Sequence, residues 1–73
     1  MNSSEQTRRE LLAAVTELGR ARPTWRLGQT LANLAMTAGK PDAGGVWDLE
    51  DDEALAAART LLKQYSAVAP EVA

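Results

Sequence analysis

Pro23-Thr24-Trp25-Arg26-Leu27-Gly28-Gln29-Thr30-Leu31-Ala32-Asn33-Leu34-Ala35-Met36-Thr37-Ala38-Gly39-Lys40-Pro41 reads as one helix with a stop at either end. Pro23 pushes the residue before it out of the helical region, and Gly39 followed by Pro41 closes the far side. Thr24 is placed to cap a helix over about 25–38. At 100° per residue, Leu27, Leu31, Leu34, Ala35 and Ala38 fall on one side, and Trp25, Gln29, Asn33 and Met36 on the other. The second side carries an aromatic, two amides and a thioether, an unusual set for a face turned to water. Gly28 interrupts this helix at a cost of roughly 1 kcal/mol relative to Ala. Close approach of another backbone explains it, and simple truncated packing is the plainer alternative.

Outward from this segment, Leu11, Leu12, Val15 and Leu18 recur at helical spacing. They predict a helix over about 5–21, capped by Ser3 with Gln6 three residues later. On the other side, the loop Lys40-Pro41-Asp42-Ala43-Gly44-Gly45 leads to Val46-Trp47 and then to Asp48, a good N-cap. Glu50, Asp51, Asp52 and Glu53 fill a first turn, where the helix dipole favours acids. Leu55, Ala58, Leu61, Leu62 and Tyr65 share one face of this third helix, over about 49–65. The fold class is therefore all-α, a compact three-helix domain. Residues 1–73 form a single domain, with termini expected to fray over about 1–3 and 67–73.

Composition agrees and narrows the chemistry. Fourteen of the apolar residues are Ala and none is Ile or Phe, which favours helices over strands. With no Cys and no His, disulfides, thiolate metal sites and the commonest acid/base group are all excluded. Ser3, Ser4 and Ser66 have no imidazole to activate them, and Gly44-Gly45 lacks the Lys and Ser/Thr of a phosphate-binding loop. The acids from Asp48 to Glu53 are too closely spaced for a calcium loop. No enzyme, catalytic residue, metal or cofactor is expected. No apolar run approaches the roughly 20 residues that cross a bilayer, and the first six residues show no secretory pattern. A cytoplasmic protein with no membrane partner is expected.

The charges are divided. Residues 1–40 carry six basic and three acidic side chains, a net +3, whereas residues 41–73 carry two and seven, a net −5. The halves either attract each other within the fold or present a bipolar surface to a partner. Arg20, Arg22 and Arg26 surround the Pro23 turn, and Gln29 and Asn33 are amides able to read adenine edges. A small DNA-associated regulator is the alternative reading, opposed by the acidic second half.

The favoured reading is a small non-enzymatic module that binds a protein partner or itself. Its candidate residues are Trp25, Arg26, Gln29, Asn33 and Met36 on the second helix, with Asp48 and Asp51 where the third begins. Trp47 is expected as a core plug fixing the start of the third helix. For Trp25 two readings stay open. It either folds over Trp47 and Leu49, with Gln29 or Asn33 tying down the 40–50 loop, or it faces a partner.

Arg26-Leu27-Gly28-Gln29-x-Leu31-x-Asn33, followed by Trp47-Asp48-Leu49-Glu50-Asp51-Asp52-Glu53-x-Leu55, resembles a group of small bacterial and phage proteins of unknown function. They share an R-L-G-Q-x-L-x-N segment and an aromatic-acid-apolar-E-D-[DE]-E-x-L segment. The resemblance spans about residues 24–62. It implies that the two segments belong to one module and touch, and it transfers no catalytic residue, cofactor or partner. Ala54 and Ala56-Ala57-Ala58 stand where larger apolar residues would thicken the core.

Overall fold

The second helix forms with its far end as expected and its near end two residues late. The structure, a computed structural model, describes the backbone of residues 2–40 and 44–66 and the side chains of 5–40 and 44–65. It contains α1 (Asn2–Ala21), α2 (Leu27–Thr37) and α3 (Asp51–Ser66), with no strand among the described residues. The chain is an all-α, three-helix domain. Within the loop after α2, residues 41–43 lie outside the described residues, as does the expected fraying of the tail over 67–73.

The N-terminal expectation needs correction, because Asn2 and Ser3 already lie inside α1 and Ser3 does not cap it. Polar residues cost only tenths of a kcal/mol in a helix. The pairs Arg9–Glu5 at 3.4 Å and Gln6–Glu10 at 2.9 Å, each one turn apart, support the first turns. At the other end the Arg22 N–H donates to Leu18 O, and the Trp25 N–H then closes a turn on Arg22 O at 3.0 Å.

That turn displaces the start of α2. Arg26, extended at φ −77° and ψ 159°, takes the N-cap position without a side-chain cap bond, and Thr24 stays in the turn. The C-terminus is a Schellman motif: Lys40 N–H donates to Ala35 O at 2.8 Å and Gly39 N–H to Met36 O at 3.0 Å. Gly39 has φ 87°, the conformation this motif requires at that position.

α3 also begins late. Asp48 and Leu49 donate their N–H groups to Gly44 O and Val46 O in a turn, so Asp48 is not the cap. Glu50 occupies the cap position, its carbonyl accepting from Ala54 N–H, and Glu53 Oε1 reaches back to the Glu50 N–H at 3.1 Å. This is the N3 half of a capping box.

Ion pairs and ring contacts fix the topology. Arg8 meets Asp51 near the start of both α1 and α3, while Arg22, just past α1, meets Tyr65 in the last turn of α3, so these helices run parallel. Lys40 meets Glu53, and Trp25 meets Tyr65, so α2 runs antiparallel to α3. The result is an up-down-up bundle in which α1 and α3, the two helices most distant in sequence, make the main contact. Leu18, Leu34 and Ala58 are fully buried, with Ala14, Ala54, Leu55, Ala57 and Leu61 around them. Three buried alanines let the α3 backbone approach its neighbours closely. Leu31, Leu49 and Leu55, drawn from the two quoted segments, contribute to this one core. Thr30, the one buried polar side chain among the described residues, donates to Arg26 O within its own helix.

Candidate interaction surface

Trp47 does not take the role expected of it. Trp47 is 90% exposed on the 44–48 turn, beside Val46 at 44%. It is not a core plug. The turn that places Asp48 and Leu49 seats Leu49 against the core, and Trp47, two positions before it, is left in solvent. Trp25 is half-buried at the opposite end of the bundle, edge-on to Tyr65 with ring centroids 5.6 Å apart at 89°. It therefore does not fold over Trp47 and Leu49.

Arg22 completes the Trp25 cluster. Its guanidinium carbon lies 5.5 Å from the Trp25 ring centroid and 4.7 Å from that of Tyr65. Its Nε is buried with no hydrogen-bond partner. Two aromatic faces supply the cation–π attraction that offsets this loss. Because Arg22 is held there, the three arginines around Pro23 do not form one basic surface. Arg20 and Arg26 are exposed and Arg22 is half-buried.

The outer side of α2 is exposed in part. Gln29 and Met36 are exposed, with Met36 at 57%, while Asn33 is half-buried. Ala32 lies between Gln29 and Met36 on the helix surface, and Gly28 beside it meets nothing within 4 Å of a Cβ built on it. Close approach of a second backbone at Gly28 is thus absent among the described residues. Leu27 belongs to the inward side by angle, but is 63% exposed because it sits at the very start of α2.

Around Trp47 the acids divide into two roles. Asp51 pairs with Arg8 at 3.3 Å, and Glu53 pairs with Lys40 at 3.6 Å while capping α3, so both join elements of the fold. Asp48, Glu50 and Asp52 are exposed. Among the described residues no three carboxylates converge as a metal-binding group would. A shallow groove of ≈ 290 Å³ runs between α2 and α3, lined by Thr37, Ala38, Glu53, Ala56, Ala57 and Thr60. No helix among the described residues is long and apolar enough to cross a membrane.

Sequence reasoning missed the exposure of Trp47 because an N-cap signal locates a helix start only to within a residue or two, and that offset decides which way the preceding side chain points. It also missed the Arg22–Trp25–Tyr65 cluster, whose members come together only once α1 and α3 run parallel. Comparison with protein-family models, with curated proteins and with solved structures gives no match for this chain.

Proposed function

We propose that this protein is a small non-enzymatic interaction module that engages a protein surface through the turn before α3. The observation that carries this reading is the exposure of Trp47 at 90%, in a chain with only three aromatic side chains. Trp is among the residues most enriched at the energetic centres of interfaces, and ordering its rigid ring on binding costs little entropy. Val46 extends the apolar contact, and the exposed Asp48, Glu50 and Asp52 form a polar rim of one sign. Gln29 and Met36 on α2 provide a second, weaker surface, since Trp25 is engaged with Tyr65.

The test is cross-linking from a photoreactive residue at position 48 in cells making the native protein, compared with the same probe in a Trp47→Ser background. Adduct formation that falls at least about tenfold with Trp47→Ser supports the reading, since a central tryptophan contributes on the order of 2 kcal/mol or more. Equal adduct yield from both chains, with identical circular-dichroism melts, overturns it.

A further inference from the structure

We infer that the surface bearing Trp47 docks on a second copy of this chain, against the exposed stripe of α1 centred on Leu12. This rests on the interaction reading above and names its partner. Leu12 is 59% exposed, an isolated leucine on the outer side of α1. One turn before it stand Arg8 and Arg9, whose side chains are 70% and 76% exposed. The chain therefore presents two apolar knobs with rims of opposite sign. Trp47 and Val46 are bordered by Glu50 and Asp52, and Leu12 by Arg8 and Arg9. Among the described residues Arg9 is held only by Glu5, in an exposed pair at 3.4 Å of a kind that contributes little, so it is available to a stronger acceptor.

Position favours a closed arrangement. The Arg8–Asp51 pair holds the second turn of α1 beside the start of α3, so Leu12, one turn further on, lies in the same half of the bundle as Trp47. Two copies related by a two-fold axis exchange them reciprocally, each Trp47 meeting the other copy's Leu12 stripe, and the contact then closes without propagating. A thin core also gives so small a chain reason to cover apolar surface by association. The contact is small, so association is weak, with a dissociation constant on the order of 0.1 mM, and it weakens as salt screens the rims.

Sedimentation equilibrium of the purified full chain up to about 1 mM tests this range. The mass should rise from 7.8 kDa toward twice that value at low salt. It should stay monomeric in Trp47→Ser and in Leu12→Ser, both of which alter exposed side chains and leave the melt unchanged. Arg9→Glu and Asp52→Arg should each abolish association alone, and an equimolar mixture of the two should restore a heterodimer, because both contacts are then complementary. A wild-type chain monomeric at all concentrations overturns the inference, as does a dimer that survives either serine substitution or a charge-reversed mixture that fails to assemble. A monomeric chain that still gives Trp47-dependent cross-links to another protein overturns self-association alone and leaves the broader reading standing.

Discussion

Gly28, inside α2, and Gly39, just past its end, show how one residue type takes opposite roles. Gly39 adopts φ 87° to complete the Schellman motif, and a Cβ added there meets nothing within 4 Å, so its requirement is purely conformational. Gly39→Ala should lower stability by about 1 kcal/mol, the cost of a left-handed alanine, which for a chain of this size lowers Tm by about 4–8 °C. Gly28 lies within α2 with the same open space and no positive φ. Gly28→Ala should therefore raise stability by up to about 1 kcal/mol, through helix propensity and a less flexible unfolded chain. Thermal unfolding of the two single variants checks both signs. A drop for Gly28→Ala would show that a partner backbone does approach there.

At the scale of elements, the start of α3 depends on Glu53, which caps the Glu50 N–H and pairs with Lys40 after α2. Glu53→Ala should cost about 0.5–1 kcal/mol from the cap, with little from the half-exposed ion pair. Denaturant titration at low and high salt separates the two, because the cap persists in salt and the ion pair is screened. Three helices and their apolar faces were legible in the sequence because period and breakers are local signals. Pro23 and Gly39 set two boundaries nearly to the residue. The starts of α2 and α3 were not legible, since a preceding turn consumed residues that looked like caps: Thr24 in one case and Asp48 in the other. The candidate site fared less well for the same reason, as the shift that seats Leu49 against the core also turns Trp47 outward. Gln29 and Met36 are exposed on the side of α2 that their angles give, where the sequence left open whether they were structural or interfacial, whereas Trp25 is captured by Arg22 and Tyr65 through a pairing of distant helices that no local pattern encodes.

Across the whole molecule, size and burial are decoupled. The largest side chains stand at the margins or outside, while the centre is built from Leu18, Leu34 and a row of alanines on α3. A chain this short draws only about 3–5 kcal/mol of net stability from one core. Leu18 is 0% exposed and belongs to the same buried cluster as the α3 alanines and Leu34. Leu18→Ala removes its buried methyl groups and leaves a cavity that neighbouring alanines cannot fill, at a cost of about 2–5 kcal/mol. Trp47→Ala deletes a far larger side chain, yet one in water on the folded protein, and should change stability by no more than about 0.5 kcal/mol. Urea unfolding of the two variants at low protein concentration gives a direct comparison, with Leu18→Ala largely unfolded near 37 °C and Trp47→Ala close to wild type. A loss of several kcal/mol in Trp47→Ala would place the indole in the core and remove the basis for the docking surface.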